Sequence, residues 1–261
     1  MNKKYGVDIK WLAVTCFEMR FNNVTVVSDP YVTECKGTNL DYTAIEKCDI
    51  ITLTHAHFDH ITDIPRLSKK FNPIIMCGQM TAMPLLEWVD CQASKIYPVS
   101  PNLELDFGDV KVKALFGRHK LQGDGYRETT KWLENFEECA HDKGIVKLQG
   151  IGSLEYTNYL FTTPNGVKVL IWGNDPTIEQ VNICKAEKPD IAILQRTTKP
   201  EKNKQMANFI KEIGCKVVIP HHHDFTTIDN PMYIENFKNA ILEVAPEVEF
   251  IAPEHGKWLH L

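Results

Sequence analysis

The sequence lacks several features that would place it in a specialised class. No apolar run approaches the roughly 18 residues that a membrane-spanning helix needs. None of the eight scattered cysteines forms a Cys-x-x-Cys pair, which argues against a zinc knuckle or dithiol redox centre and favours free buried thiols. There is no Gly-x-Ser-x-Gly motif, phosphate-binding loop or dinucleotide fingerprint. These absences exclude the commonest serine-hydrolase and nucleotide-dependent mechanisms.

Positive charge is also scarce, since the formal net charge is −5. Bulk electrostatic attraction to nucleic acid or to an anionic membrane is therefore not expected. The basic first four residues are followed by a stretch too polar for the apolar part of a secretory signal. We predict a cytoplasmic protein with no membrane span and no nucleic-acid partner, and we leave a homo-oligomer open.

What the 261 residues do contain is a mixture of short apolar runs and helical stripes. Runs rich in β-branched residues predict strands crowded early in the chain, and strand-helix alternation follows later. This pattern favours an α/β protein with sheets covered by helices over an all-β sandwich. We predict a single domain over residues 1–261, with a helical insertion at about 120–152 that could lie over a site. The predicted strands are 10–14, 17–21, 24–28, 50–54, 74–76, 95–99, 103–107, 110–116, 156–162, 167–172, 191–194, 216–219 and 248–251; the predicted helices are 80–89, 127–142, 176–186, 203–213 and 231–244.

The segment most informative about chemistry is 54–60, Thr-His-Ala-His-Phe-Asp-His, which follows the predicted buried strand 50–54. Imidazole suits zinc and iron, and carboxylate also suits harder ions. Alternate residues of a strand point the same way, so we expect His55 and His57 to bind one ion together. Asp59 and His60 come where the chain turns toward a helix and can face a second position beside the first. The competing interpretation is a polar loop with merely exposed histidines.

This segment resembles the His-x-His-x-Asp-His signature of the metallo-β-lactamase superfamily. The stretch Val-Val-Ser-Asp-Pro at 26–30 is similar to the family's early strand ending in Asp-Pro, and the resemblance extends from about residue 11 to 255. It implies an αββα four-layer sandwich whose loops hold one or two divalent metal ions at one edge of two packed sheets. Zinc is favoured, with manganese or iron as alternatives.

The resemblance implies three further ligands. His119, after a mid-chain strand, matches the third histidine of the first metal, its alternative being a surface residue. Asp175 would be the carboxylate that bridges both metals, although Asn174 stands where the family usually has aspartate. An Asp-Pro pair is also a good helix N-cap, so Asp175 could be only a cap. The Pro-x-His register selects His222 as the last ligand, and a one-residue shift would select His221 instead.

Other residues carry weaker expectations. Asp29 matches the family's early aspartate, which usually supports a ligand histidine, and its alternative is a turn residue. His255 could contact substrate or lie on the surface. Trp132 and Phe136, on the predicted inserted helix, could line a pocket, although such a stripe more often belongs to a core.

The expected function is a metal-dependent hydrolase that uses a metal-activated hydroxide on a small-molecule ester, lactone or phosphoester, with Asp59 orienting the nucleophile and moving its proton. The general plan resembles the branch with ascorbate-6-phosphate lactonase and the phospholipase D-like N-acylethanolamine enzymes. The alternatives are a phosphodiesterase or nuclease of the same superfamily and a non-catalytic metal-binding protein. An oxygen-reducing di-iron protein is disfavoured because such relatives carry glutamate at the position of His57.

Overall fold

Two seven-stranded sheets form the centre of the computed structural model, which describes residues 4–119, 126–139, 142–173, 176–196, 200–224 and 231–261. The first sheet has the order β14-β1-β2-β3-β4-β5-β6. Its strands β3 to β6 pair in parallel, and its other pairs are antiparallel. The strands are β1 (Asp8–Ala13), β2 (Cys16–Phe21), β3 (Val24–Ser28), β4 (Ile50–Thr52), β5 (Ile74–Gly78), β6 (Ile96–Val99) and β14 (Trp258–His260).

The second sheet repeats this plan, with the order β13-β12-β11-β10-β9-β8-β7. Its strands β10 to β13 pair in parallel, and β7 to β10 pair antiparallel. The strands are β7 (Glu104–Asp106), β8 (Lys111–Phe116), β9 (Thr157–Thr162), β10 (Lys168–Trp172), β11 (Ile191–Gln195), β12 (Val217–His221) and β13 (Glu249–Phe250).

Alternate residues of each strand belong to different cores. Ile50 packs in the cluster shared by both sheets, whereas the next residue, Ile51, packs in the cluster on the outer face of the first sheet. Ile193 and Leu194 divide in the same way between the shared cluster and the outer face of the second sheet. Both faces of each sheet are thus covered, which is why these strands have continuous apolar sequences and not alternating ones. The four-layer α/β prediction is confirmed.

Eight α-helices lie in the described part of the chain. Three of these helices and one strand were not predicted. The stretch 64–71 carries Ile64, Leu67 and Phe71 at helical spacing, so its sequence did contain a signal. The helix predicted at 127–142 ends earlier, and Asp142 caps a separate helix after it. The helices are α1 (Phe58–Ile61), α2 (Ile64–Phe71), α3 (Gln79–Trp88), α4 (Tyr126–Cys139), α5 (Lys143–Gly152), α6 (Ile178–Glu187), α7 (Pro200–Ile213) and α8 (Pro231–Val244).

The three missed helices are α1, α2 and α5, and the unpredicted strand is β14. The helices α4 and α5 lie within the segment predicted to be inserted. None of the described helices is long and apolar enough to cross a membrane. The segments that follow β4, β8 and β12 carry the described histidines and acidic residues predicted to form the site, and Asp175 follows β10 in the sequence.

Candidate metal centre

The His-x-His pair lies in a loop and not on a strand. Strand β4 ends at Thr52, and α1 begins at Phe58, so His55 and His57 belong to the connection between them. The strand predicted to reach residue 54 is therefore too long, and strand alternation is not what brings the two rings together. The loop folds so that the ring centroids of His55 and His57 are 4.5 Å apart.

A first group of three imidazoles gathers around this loop. His119, after β8, places its ring centroid 4.8 Å from that of His55 and 4.4 Å from that of His57. One nitrogen from each of the three rings lies within 4.8 Å of the others. His55 and His57 are each 5% exposed, and His119 is half-buried. The structure thus brings together three side chains that are at most 64 residues apart in the sequence. Their binding of one shared ion stays a prediction.

A second group, Asp59, His60 and His222, lies beside the first. The donor atoms of these three residues are likewise within 4.8 Å of one another. Oδ2 of Asp59 is 3.5 Å from Nε2 of His60 and 4.0 Å from Nε2 of His222. The ring centroids of His55 and His60 are 4.0 Å apart, so the two groups are in contact through these rings.

The choice between neighbouring histidines follows from where β12 ends. His221 is the last residue of β12, fully buried, with Nε2 3.2 Å from the carbonyl oxygen of Trp172 and Nδ1 3.4 Å from Oγ1 of Thr15. His222 is the first residue after the strand and adopts a left-handed backbone with φ of 64°. The structure therefore places His222, and not His221, in the second group.

The carboxylate of Asp29 orients two of the histidines, His60 directly and His55 through the hydroxyl of Thr54. Oδ2 of Asp29 accepts hydrogen bonds from Oγ1 of Thr54 at 2.6 Å and from Nδ1 of His60 at 2.8 Å. Since the Thr54 hydroxyl donates its proton to Asp29, it accepts from Nδ1 of His55 at 3.1 Å. Both rings then carry their proton on Nδ1, which leaves Nε2 as the nitrogen suited to bind a metal. Asp29 thus has the supporting position expected for it.

Burial and neighbouring charges set the protonation of the groups. Burial, with His119 close by, lowers the pKa of His57 to about 3, and burial lowers the pKa of His222 to about 4. Burial would also lower the pKa of His60, but the carboxylates of Asp59 and Asp29 outweigh it and raise this pKa to about 10. His57 and His222 are therefore neutral at pH 7, as ligands must be. His60 is protonated in the metal-free chain, paired with two carboxylates, and would release its Nε2 proton when a metal binds there.

Strained backbone accompanies the site. Val14, Asp29 and His222 have φ of 48°, 39° and 64°, in the left-handed region that non-glycine residues rarely adopt. The amide of His222 bonds to the carbonyl oxygen of Val14 at 3.0 Å, and the amide of Val14 bonds to the carboxylate of Asp224. Such strain costs on the order of 1–3 kcal/mol per residue and persists only where surrounding contacts hold it.

The donor chemistry of the two groups fits divalent metal ions. Three imidazoles, two of them buried, form the set typical of a zinc ion with an open fourth position. A carboxylate with two imidazoles suits zinc, manganese or iron.

The remaining predicted residues have varied positions. Asp175 lies outside the described residues, so its role as bridge or cap stays a prediction. His255 is partly buried, stacks on Trp11 at 4.0 Å and bonds through Nε2 to Asp224 at 2.8 Å. Phe136 stacks on Phe58, the residue that precedes Asp59, with 5.8 Å between ring centroids. The side chain of Trp132 is not among those described.

The sequence analysis missed three side chains around the site. Ser153 lies 3.0 Å from Nε2 of His57, and Gln149 accepts from the amide of Phe58 at 2.7 Å. Tyr156 stacks on His55 with 4.8 Å between ring centroids. All three follow the HxHxDH segment by about 90 residues or more, and no local motif marks them, so only tertiary contact reveals them.

The model of the family described as beta-lactamase superfamily domain matches residues 8–222, most of the chain. The chain belongs to this family. The match includes every described member of both histidine groups. Family membership supports the fold, whereas substrates vary among proteins that share one fold.

Curated relatives within this family are distant. A UPF0173 protein of Pyrococcus abyssi is 30% identical over 113 residues, which cover 43% of this chain and 50% of the relative. A UPF0173 metal-dependent hydrolase of Lysinibacillus sphaericus is 30% identical over 48% of this chain and 52% of the relative. These matches span about half the length of each relative. A third relative, the UPF0173 metal-dependent hydrolase of Lawsonia intracellularis, is 23% identical over 95% of this chain and 96% of its own length.

Solved structures share the fold at low sequence identity. A metallo hydrolase of Ignicoccus hospitalis, Igni18, superposes with a TM-score of 0.69, 18% identity and 97% coverage of both chains. The metallo-beta-lactamase fold protein YhfI of Bacillus subtilis has a TM-score of 0.66 and 11% identity, covering 97% of this chain and 98% of its own. These similarities establish the two-sheet architecture of the family in this chain and leave its substrate open.

Proposed function

We propose that this chain is a metal-dependent hydrolase acting on a small-molecule ester, lactone or phosphoester. The observation that carries the proposal is the pair of adjoining donor groups, His55, His57 and His119 beside Asp59, His60 and His222. The named activity of the relatives in Lysinibacillus and Lawsonia, metal-dependent hydrolase, supports the same conclusion.

A divalent metal bound to these groups would lower the pKa of water toward neutrality and polarise the substrate oxygen that it contacts. No serine or cysteine nucleophile is required. Among the described residues, the one suited to handling the proton is Asp59, which lies in the second group and borders the first.

The environment of Asp59 keeps its carboxylate ionised. Burial opposes the charge, but the neighbouring His60 overcomes burial and holds the pKa of Asp59 well below its ordinary value. An ionised carboxylate can orient a water molecule by accepting its hydrogen bond and can receive its proton transiently. The hydrogen bond from Nδ1 of His60 to Asp29 fixes the orientation of the His60 ring beside Asp59.

The metal content of the chain tests the proposal directly. We expect one to two equivalents of zinc, manganese or iron per chain in protein purified without added metal, as measured by elemental analysis. A panel of lactone, aryl ester and phosphodiester substrates, each with and without each metal, should show turnover that a chelator removes and metal restores.

The same panel separates the alternatives. Turnover of phosphodiesters or RNA alone, with strong salt dependence of binding, would favour a phosphodiesterase or nuclease. Stoichiometric metal without turnover would favour a metal-binding protein. No bound metal and no gain of activity on adding metal would overturn the proposal. The cytoplasmic location and the absence of a nucleic-acid partner stay predictions.

A further inference from the structure

The end of α5 packs directly on the backbone of the site loop, residues 53–57 between β4 and α1. A Cβ atom on Gly152 would lie 2.6 Å from Cδ2 of His57, 2.7 Å from its amide nitrogen and 2.8 Å from the carbonyl carbon of Ala56. Two of these three are backbone atoms, which cannot move aside as a flexible side chain can. The helix therefore approaches this closely only because residue 152 is glycine.

The next residue, Ser153, contacts the imidazole of His57 itself. Its Oγ lies 3.0 Å from Nε2 of His57 and 3.3 Å from the carbonyl oxygen of Gln149. A carbonyl oxygen only accepts, so the one hydroxyl proton of Ser153 is donated to Gln149. The hydroxyl then accepts from His57, which requires the proton of His57 to be on Nε2.

This hydrogen bond determines which nitrogen of His57 has a lone pair to offer. In a neutral imidazole one nitrogen is protonated and the other is an acceptor or ligand. With Nε2 protonated and its edge of the ring facing α5, Nδ1 on the other side carries the lone pair. His57 thereby differs from His55 and His60, whose protons are held on Nδ1 by Thr54 and Asp29.

Gln149 joins the same helix to the second donor group. Its Oε1 accepts from the amide of Phe58 at 2.7 Å, at the first residue of α1, and the side chain is fully buried. Helix α1 also contains Asp59 and His60. One turn of α5 and its cap thus touches the first group through His57 and the second through the start of α1.

We propose that Ser153 and Gln149 are positioning residues of the metal centre: Ser153 holds His57 in the tautomer that ligates through Nδ1, and Gln149 fixes the start of the helix that carries Asp59 and His60. Helix α5 is then a structural part of the centre and not only a cover over it. This inference rests on the metal binding in the proposed function.

The test compares Ser153→Ala with the wild-type chain by zinc titration against a chromophoric chelator. Loss of a partner that orients a ligand histidine typically lowers metal affinity 10–100-fold, and we expect a loss in that range for one of the zinc equivalents. The matched control is Ser68→Ala, which removes a buried hydroxyl that has no hydrogen-bond partner among the described residues. Its zinc affinity should equal that of wild type.

A second measurement reports the tautomer without any metal. Long-range ¹H–¹⁵N spectra of metal-free protein, with His57 assigned by comparison with His57→Gln, should show a proton on Nε2 in wild type and a mixture of tautomers in Ser153→Ala. A merely structural serine would lower stability and leave the tautomer unchanged. If the alanine variant does not fold, Ser153→Cys retains the side-chain volume with a weak acceptor and should shift the tautomer in the same direction.

The outcomes separate this inference from the proposed function. If wild type binds no zinc, the proposed function fails, and the tautomer of His57 still decides the role of Ser153. If wild type binds zinc and Ser153→Ala binds it equally, with the proton of His57 still on Nε2, the inference is overturned and the proposed function stands.

Discussion

Asp59 shows at the scale of a single residue how neighbours set the chemistry of a side chain. A carboxyl group 8% exposed would ordinarily tend toward its neutral form because burial raises its pKa. The positive His60, held by Asp29, and the approach of His222 reverse this tendency and keep Asp59 ionised. Its position in the site, and not its type alone, makes it suited to accept a proton.

Asp59→Asn should therefore abolish most turnover while the chain stays folded. The amide retains the size of the side chain but neither accepts a proton nor carries charge, so we expect the rate to fall at least about 100-fold. Steady-state rates on the best substrate of the panel, with circular dichroism to verify folding, provide the measurement. The exposed Asp90→Asn is the control, and wild-type rates in Asp59→Asn would remove Asp59 from the mechanism.

His119→Ala tests whether the first group binds a metal, because His119 is the member of that group that lies outside the loop after β4. The histidines at 55 and 57 alone offer two nitrogens, too few for the usual zinc set, so metal content should fall by up to one equivalent. Elemental analysis after dialysis gives the result. His260→Ala, which removes an exposed imidazole paired with Asp8 at the distant edge strand, should keep full metal content. Equal occupancy in both variants would show that His119 is not a ligand.

At the scale of elements, the fit between α5 and the loop that precedes α1 determines whether the two donor groups stay together. Helix α5 has three glycines and three β-branched residues among its ten, a composition with poor intrinsic helix propensity. Packing against α3 and the site loop, together with the Asp142 cap, must therefore supply its stability. This composition also explains why the helical period failed to reveal α5 as a separate element.

Two glycines of α5 provide a matched pair for testing that contact. Gly152→Ala introduces a methyl group where backbone atoms lie under 3 Å away, and we expect the free energy of unfolding to fall by about 1–3 kcal/mol. Gly150→Ala has nothing within 4 Å of the new Cβ and should be neutral or stabilising by up to about 1 kcal/mol. Urea unfolding monitored by fluorescence compares them. Equal stability of the two variants would contradict the close approach of α5 to His57.

At the scale of the whole molecule, the metal centre would connect the two sheets. The first group draws on the loop after β4 in one sheet and on the loop after β8 in the other. The second group draws on helix α1, which follows that first loop, and on the residue directly after β12. Unfolding separates these ligands, so a metal that binds only the folded chain stabilises it by mass action.

Zinc should accordingly raise the midpoint of thermal unfolding. At a free concentration about 100 times the dissociation constant, the added stability is about 2.7 kcal/mol, which corresponds to roughly 5–10 °C for a chain of this size. Differential scanning fluorimetry of chelator-treated protein, with and without zinc, measures the shift. The shift should be smaller in His119→Ala, and its absence in wild type would contradict a site that spans both sheets.

The local sequence determined the elements and the chemistry of the first loop. Apolar runs located thirteen strands because a strand buried on both faces needs apolar residues at consecutive positions. The HxHxDH segment predicted donors for a metal because metal ligation demands those side chains. Strand β14 was missed because it is a three-residue edge strand, half-buried, whose pairing with β1 depends on a segment about 250 residues away. The single-domain arrangement and the bridging role of Asp175 stay predictions.

Only the tertiary structure decided which donors meet and how each is oriented. The sequence allowed either His221 or His222, and the end of β12 together with the bond to Val14 selected the second. It gave no sign of Ser153 or Gln149, since a hydrogen bond between residues 96 positions apart leaves no periodic trace in the chain. Local composition determines short-range geometry. Which nitrogen of each imidazole is protonated depends on hydrogen-bond partners that folding brings from distant parts of the chain.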